Sequence, residues 1–280
     1  NLDLIKGNEA AIIELISKIA NREGFGDIIA DGTERASRKI GRGSEKYLST
    51  MKGMEFFGDP RTFSPNKLLS YQTNPRGGDD LKGTHGLIAF PGMPQWANRM
   101  NWDEDTYLNW MLERHDIFDD VKEAVFGFPP NLNDLDTAML VKWYNDLSCV
   151  FNSLGFCMFN DSFGVMGPTL YAELYSAVTG HSITPVELMI AGERIFNVMR
   201  VYNIREGIRR EHDDWPQRFY DQPFRRGDET YTLSKEKVDR SLNRYYELRG
   251  WDMKTGAPTQ AKLRQLQLHE VADDLLKYME

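Results

Sequence analysis

Apolar residues in this 280-residue chain recur at intervals of three and four, and that spacing restricts the fold more than any other feature of the sequence. The pattern runs over residues 8–22, 137–154, 184–205 and 234–249. Thr184-Pro185-Val186-Glu187 is a capping-box sequence with proline in the first turn, so the third segment has a clear start. Strand patterns are few and short. We therefore predict an all-α architecture.

Two parts of the chain are harder to assign. A helix is predicted from Asp27 toward Lys39, ending near Gly41. The stretch from Gly53 to Pro130 is predicted to be a long irregular segment, because prolines and glycines interrupt it throughout. Its prolines are Pro60, Pro65, Pro75, Pro91, Pro94, Pro129 and Pro130. Long irregular segments inside a compact domain are more often functional than accidental.

Composition narrows the classes of function. The formal net charge of −8 argues against non-specific binding to nucleic acid. No apolar run approaches the roughly 20 residues that cross a bilayer, so we predict no membrane span. Two cysteines in 280 residues do not make a disulfide scaffold, and a reducing cytoplasm is the simplest setting.

Common catalytic and metal-binding motifs do not occur in the sequence. It contains no P-loop, no dinucleotide-binding glycine motif, no His-Glu-x-x-His and no Gly-x-Ser-x-Gly. The five histidines are scattered without metal-ligand spacing, and only His85 falls in the irregular stretch. We therefore interpret each histidine as a surface or core residue and not as a metal ligand.

The cysteines lie in the stretch "NDLSCVFNSLGFCMFN", residues 145–160. Cys149 falls on the apolar side of the predicted helix and is interpreted as a packing residue. Cys157 lies two residues beyond Gly155, where that helix is expected to end. A thiolate there could bind iron or zinc, whereas the alternative is a small buried hydrophobic side chain between Phe156 and Met158.

A glycine-rich stretch, "SYQTNPRGGDDLKGTHG", forms the second candidate site. Gly77 and Gly78 would let the backbone approach a ligand closely. Arg76 and Lys82 on either side suit a phosphate or another anionic group. The aspartates at positions 79 and 80 are either acid–base groups or turn residues.

Five collinear segments carry a family resemblance: "REGFGDIIADG", "DPRTFSPNKLLSYQTNPRGGDDLK", "FNSLGFCMF", "ERIFNVMRVYNIREGI" and "NRYYELRGW". Together they resemble the C-terminal half of the tungsten-containing aldehyde ferredoxin oxidoreductase family, from about Asn8 to Trp251. The resemblance implies that residues 1–49 end a middle helical domain and that 50–280 form the C-terminal helical domain.

The resemblance also implies cofactors and partners. Full-length enzymes of the family carry a tungsten or molybdenum bispterin beside one 4Fe-4S cluster. A missing N-terminal segment or subunit would supply the pterin base and three cluster cysteines. A ferredoxin-like electron carrier and a possible homodimer are further expectations. This chain alone is expected to be inactive.

Site residues follow from the motifs that match. Asn152-Ser153-Leu154-Gly155-Phe156-Cys157 resembles the family's Asp-x-x-Gly-Leu-Cys motif, with Asn for Asp and Phe for Leu. The resemblance makes Cys157 the fourth cluster ligand. It places three further residues at the pterin: Asn152, Gly155 and Phe156.

Gly77-Gly78-Asp79-Asp80 resembles the family's Gly-Gly-Cys-His element, with aspartate in place of the cysteine and the histidine. Asp80 stands where the family has a histidine thought to help proton transfer, so it becomes the candidate catalytic acid–base group. The residues implied to face the cofactor in this loop are Arg76, Gly77, Gly78 and Lys82.

The histidine replacement leaves the substrate open. One alternative is an aryl-CoA reductase subunit of the class II benzoyl-CoA type, which uses low-potential electrons to dearomatise its ring substrate. The Trp- and Met-rich segment 85–102 would then line an apolar pocket, although it could equally be a structural loop. A third alternative is a cofactor-free helical scaffold that binds a partner.

Overall fold

The structure is a computed structural model that describes residues 2–83, 99–114, 116–127, 136–158 and 166–279. His85, His115 and most of the Trp- and Met-rich segment lie outside these ranges. The helices before the first gap are α1 (Glu9–Ala20), α2 (Phe25–Ile29), α3 (Thr33–Ile40) and α4 (Pro65–Thr73). Those that follow are α5 (Glu104–Arg114), α6 (Asp119–Phe126), α7 (Thr137–Ser153), α8 (Pro168–Thr179), α9 (Pro185–Arg205), α10 (Arg218–Asp221), α11 (Lys235–Arg249), α12 (Gln260–Gln265) and α13 (His269–Leu275).

The described strands form two short antiparallel hairpins. In the first, β1 (Thr50–Met51) pairs with β2 (Met54–Glu55). In the second, β3 (Phe224–Arg226) pairs with β4 (Glu229–Tyr231). The prediction of an all-α architecture is confirmed, because the hairpins are small and the helices make up the core.

The helix boundaries that rest on local signals agree with the sequence. Thr184 accepts a hydrogen bond from the Glu187 N–H at 3.2 Å, and Glu187 accepts one from the Thr184 N–H at 2.8 Å, which completes the capping box. Gly180 and Gly250 adopt left-handed conformations at the ends of α8 and α11.

Two predictions about secondary structure were wrong. The predicted helix from Asp27 to Lys39 is divided into α2 and α3, because Gly32 has a φ of +89° that a continuous helix cannot accommodate. The predicted irregular stretch contains α4, α5 and α6. Pro65 occupies the first turn of α4, where proline starts a helix instead of breaking it.

Helix α7 occupies the centre of the described chain and packs against α4, α6, α9 and α11. Its crossing with α9 is very close, since a Cβ on Gly192 would lie 2.2 Å from the Asp146 carbonyl oxygen. One apolar cluster surrounds α7 with α5, α6, α8 and the start of α9, and another joins it to α4, α9 and α11. A third cluster of Met51, Phe56, Tyr71, Trp215 and Phe219, with neighbours, seats the first hairpin on α4.

No helix in the described ranges combines the length and the apolar character needed to cross a bilayer.

Replacement of Gly192 by alanine tests the crossing of α7 and α9. We expect Gly192→Ala to lower the free energy of unfolding by about 1–3 kcal/mol, because the added methyl group meets backbone and forces the helices apart. Val198→Ala is a control on the same helix, because its side chain is 40% exposed. The control should change stability by no more than about 0.5 kcal/mol. Equal denaturation midpoints for Gly192→Ala and the unaltered protein would contradict the close crossing.

Candidate functional site

Cys157 follows a well-formed helix end. The Gly155 N–H donates to the Asn152 carbonyl at 3.2 Å, and the Phe156 N–H donates to the Phe151 carbonyl at 2.9 Å. These two bonds, with a φ of +80° at Gly155, form a Schellman motif that ends α7 and turns the chain sharply. The Cys157 side chain is exposed, whereas Cys149 is only 2% exposed within α7. Within this chain, therefore, Cys157 is not packed among hydrophobic side chains.

The neighbours of Cys157 hold this turn in place. Phe156 packs on Tyr171 of α8 with ring centroids 5.3 Å apart, so the residue after the helix end is anchored in the core. The Asn152 side chain donates through Nδ2 to the Ser148 carbonyl at 2.6 Å, which points its amide nitrogen back along α7. Burial raises the pKa of the Cys149 thiol to about 11, so Cys149 is the less reactive cysteine.

The loop of residues 74–83, which we call the glycine loop, packs against the first hairpin. Gly77 and Gly78 have φ values of +76° and +70°. A Cβ on Gly77 would lie 2.3 Å from the Met51 carbonyl oxygen, and one on Gly78 would lie 2.8 Å from the Glu55 carbonyl oxygen. The close approach that both glycines permit is therefore an approach to the hairpin backbone. Their predicted contact with a cofactor stays a prediction.

Charged side chains of the glycine loop have different environments. Arg76 is largely exposed and pairs with Asp79, whose carboxylate also accepts from the Leu81 N–H at 3.0 Å. Asp79 is thus a turn residue, in agreement with one of the two predicted alternatives. Asp80 lies 3.7 Å from the ammonium group of Lys67 on α4. Burial raises the pKa of Asp80 above its ordinary value, and the charge of Lys67 opposes part of that rise.

A buried ion cluster anchors the first hairpin, and the sequence did not reveal it. Lys52 and Arg200 both pair with Asp213 at 2.7 Å, and the side chains of all three are at most 2% exposed. Burial by itself would raise the pKa of Asp213, but Arg200 and Lys52 hold it below its ordinary value. Tyr246 also donates to this carboxylate. The hairpin that supports the glycine loop is therefore fixed to α9 and α11.

Cys157 could supply one ligand to a metal site. Among the described residues, no three or more His, Cys, Asp or Glu side chains come together in a way that could hold a metal ion. Cys157 offers a single exposed sulfur at a rigid turn. A cluster bound through it would therefore need ligands from other sequence.

The family of the chain follows from comparison with known proteins. The family model "Aldehyde ferredoxin oxidoreductase, domains 2 & 3" matches residues 1–268. The chain therefore belongs to the aldehyde ferredoxin oxidoreductase family, and the predicted resemblance is confirmed.

The relatives that match are longer than this chain. It is 31% identical over 267 residues to the tungsten-containing aldehyde ferredoxin oxidoreductase of Pyrococcus furiosus, covering 94% of this chain and 38% of the relative. The corresponding protein of Pyrococcus horikoshii is 30% identical over 265 residues, with 37% of its length covered. The chain thus spans less than half the length of these curated relatives, which are named as oxidoreductases.

A solved structure is also similar. The active site complex BamBC of benzoyl coenzyme A reductase, in complex with 1,5-dienoyl-CoA, matches with a TM-score of 0.69 and 26% identity. The match covers 98% of this chain and 41% of that chain. The helical architecture is therefore shared with a second type of enzyme in addition to the aldehyde oxidoreductases.

Removal of the buried carboxylate tests the ion cluster. We expect Asp213→Asn to lower the free energy of unfolding at neutral pH by about 3–5 kcal/mol, because Lys52 and Arg200 would keep buried charge without a counter-ion. The depressed pKa of Asp213 means that its contribution is present at neutral pH and is lost as the pH falls through the folded-state pKa. When the pH is lowered, the free energy of unfolding should therefore fall less in Asp213→Asn than in the unaltered protein, as measured by denaturant unfolding.

Asp273→Asn is the matched control, because Asp273 pairs with Arg264 at 2.6 Å with both side chains about half exposed. It should change stability by less than about 1 kcal/mol. Similar losses in the two variants would contradict the structural importance of the buried cluster.

Proposed function

We propose that the protein containing this chain is a tungsten or molybdenum bispterin, 4Fe-4S oxidoreductase, to which this chain contributes one cluster ligand and one wall of the site. The observation that carries the proposal is the exposed sulfur of Cys157 at the rigid end of α7, in a chain that belongs to this family. The pterin base and the other three cluster cysteines would come from sequence that corresponds to the uncovered part of the relatives. The division into domains 1–49 and 50–280 is part of the same proposal.

Each candidate residue has a role under this proposal. The metal–pterin centre and the cluster, when bound, would supply the redox chemistry. Cys157 would hold iron through its thiolate. Asn152 would offer its side-chain oxygen to the pterin edge, while Gly155 and Phe156 fix the turn that presents both residues.

The glycine loop would bind the anionic part of the cofactor and transfer protons. Arg76 and Lys82 would face the anionic part of the cofactor, and Gly77 and Gly78 would keep the loop against the hairpin that supports it. Asp80 would hold or transfer a proton. Its raised pKa brings the carboxyl closer to neutral pH, where a general acid–base group works best.

Two substrate classes remain within this reaction type. Aldehydes or other oxo substrates, with electrons passed to a ferredoxin-like carrier, are supported by the curated relatives. An aryl-CoA substrate is favoured by the similarity of nearly the whole chain to the benzoyl coenzyme A reductase complex. The third alternative is a cofactor-free scaffold, and the absence of iron and tungsten in the natural protein would favour it.

Substitution of the cysteines tests the cluster ligand. In the natural protein that contains these residues, Cys157→Ala should lose most of its iron and its brown colour, because one of four sulfur ligands is missing. Cys149→Ala is the matched control, since Cys149 is buried in α7 and should leave iron content unchanged. Iron and tungsten would be measured by elemental analysis and the cluster by electron paramagnetic resonance. Full iron content in Cys157→Ala, or no iron in the unaltered protein, would overturn the proposal.

Direct assay distinguishes the substrate classes. An aldehyde oxidoreductase should reduce a viologen dye when an aldehyde is added. An aryl-CoA reductase should instead oxidise a low-potential reductant when an aryl-CoA thioester is added. Turnover of neither substrate by metal-loaded protein would contradict both assignments.

Substitution of Asp80 tests its role in proton transfer. Asp80→Asn should lower kcat by about 10²–10⁴-fold and remove one limb of the pH–rate profile. Lys67→Met should move that limb to higher pH, because the positive charge of Lys67 lowers the pKa of Asp80. Asp79 and Tyr71 also face Asp80 and remain in place in both variants. A pH profile that is the same in all three proteins would contradict the role of Asp80.

A further inference from the structure

The glycine loop is held mainly by its carbonyl groups. Buried Asn74 and Ser70 donate to the Asp79 and Asp80 carbonyl oxygens at 2.8 and 3.1 Å. Asn145, which is fully buried on α7, donates through its amide nitrogen to the Lys82 carbonyl oxygen. These bonds hold the backbone from which the Asp80 and Lys82 side chains project.

The bond from Asn145 is set by a directional chain of donors. Arg249 donates through Nε to the Tyr245 hydroxyl at 2.9 Å, and Tyr245 donates to Asn145 Oδ1 at 2.7 Å. Arg249 also reaches Asn145 Oδ1 directly at 3.3 Å. Since arginine only donates and a carbonyl only accepts, the amide of Asn145 can point in one direction only. Its nitrogen therefore faces Lys82.

The contact between loop and helix leaves no spare room. A Cβ on Gly83 would lie 2.8 Å from the Asn145 amide nitrogen and 2.6 Å from the Ser70 hydroxyl oxygen. The side chain of Asp146 pairs with Arg249, which keeps the start of the donor chain in place. Displacement of the loop would therefore break buried hydrogen bonds that no water replaces easily.

Helix α7 thus connects both halves of the candidate site. Asn145 holds the loop that carries Asp80 and Lys82, and eight residues later the same helix ends at Ser153, just before the turn that presents Cys157. A helix is a stiff spacer with a rise of about 1.5 Å per residue. The separation between the cysteine turn and the loop is consequently fixed by one element.

We infer that Asn145, oriented by Tyr245 and Arg249, is a positioning residue that holds the glycine loop at a fixed distance from Cys157. The catalytic consequence of this inference rests on the proposed function. The hydrogen bond from Asn145 to the loop, in contrast, is present in the protein without cofactor. None of these three residues would touch the reacting atoms, so the effect would be transmitted through the Lys82 backbone.

Asn145→Asp is the sharpest variant, because it keeps Oδ1 for Tyr245 and Arg249 and replaces the donor to Lys82 with a carboxylate oxygen. Two oxygens then face each other at the loop, and the new negative charge lies beside the positive charge of Arg249. Asn197→Asp is the matched control. Asn197 is also fully buried, but its amide nitrogen donates to the Glu193 carbonyl within α9 at 2.9 Å and its oxygen accepts from Trp251 at 2.9 Å. The two variants make the same chemical change, and only one of them affects the loop.

Hydrogen–deuterium exchange in the natural protein that contains this chain gives the first readout. The amide groups of Asp79, Leu81 and Gly83 donate hydrogen bonds within the loop, so their exchange reports loop opening. Asn145→Asp should accelerate their exchange by roughly five- to tenfold, as expected for the loss of one hydrogen bond. Asn197→Asp should leave these three amides unchanged. Equal exchange at these amides in the two variants would overturn the inference.

If Asn145→Asp does not fold, Tyr245→Phe provides a second test. This variant removes only the hydroxyl that donates to Asn145. It should accelerate exchange at the same amides by a smaller factor. In metal-loaded protein it should also move the limb of the pH–rate profile that depends on Asp80 to lower pH, because a loosened loop returns Asp80 to water. Unchanged amide exchange in Tyr245→Phe would contradict the claim that Asn145 holds the loop. Faster exchange without a shift in the pH–rate profile would contradict the positioning role in catalysis. Absence of iron and tungsten would refute the proposed function alone, because the exchange result needs no cofactor.

Discussion

The burial of α7 on nearly all sides is the constraint on which the other elements depend. Asn145, Asp146 and Ser148 sit side by side on this helix and are at most 4% exposed. A buried polar group that lacks a partner costs free energy comparable to a lost hydrogen bond or more, so each of these residues needs a partner. Ser148 finds one within α7, where it donates to the Asn145 carbonyl at 2.8 Å, whereas Asn145 and Asp146 depend on neighbouring elements. Arg249 and Tyr245 on α11 meet two of them, and the Lys82 carbonyl meets the remaining donor of Asn145. The positions of α11 and of the glycine loop follow from these requirements.

Two buried arginines stabilise the fold in the same way. Arg249 pairs with Asp146 and lies 4.2 Å from the ring centroid of Phe196, whereas Arg200 pairs with Asp213 and lies 4.8 Å from that of Trp251. A guanidinium group can bind a carboxylate at its edge while its flat face stacks on an aromatic ring. One pair ties α7 to α11, and the other ties α9 to the segment before α10. The glycine loop bonds to Asn145, next to the first pair, and packs on the hairpin that the second cluster anchors through Lys52.

Under the proposed function, this arrangement would let a chain with a single exposed cysteine contribute a well-defined part of a larger site. The Schellman turn sets the direction of Cys157, and the hairpin supports the two glycines of the loop. These features depend on packing within the chain and not on a bound cofactor. A partner segment would therefore meet a surface that is already organised.

The sequence alone determined the features that depend on near neighbours. The capping box at Thr184, the ends of α8 and α11 and the turn before Cys157 follow from residues within about one helical turn of each other, because hydrogen bonds at helix ends are local. The family resemblance was also readable, since it rests on short collinear motifs. Three helices in the described part of the stretch from Gly53 to Pro130 were missed. Pro65 starts α4 and does not break it, and α5 and α6 lie in the proline-free sequence between Pro94 and Pro129.

Only the tertiary structure decided which buried polar residues meet. Asn145 binds a carbonyl 63 residues away, and Arg249 pairs with a carboxylate 103 residues away. Nothing in the local sequence marks these partners, because the pairing depends on how α7, α9 and α11 cross. The burial of Asp80 and the exposure of Cys157 could not be predicted from the sequence for the same reason. Whether a carboxyl group is desolvated, or a thiol exposed, depends on packing by elements distant in the chain.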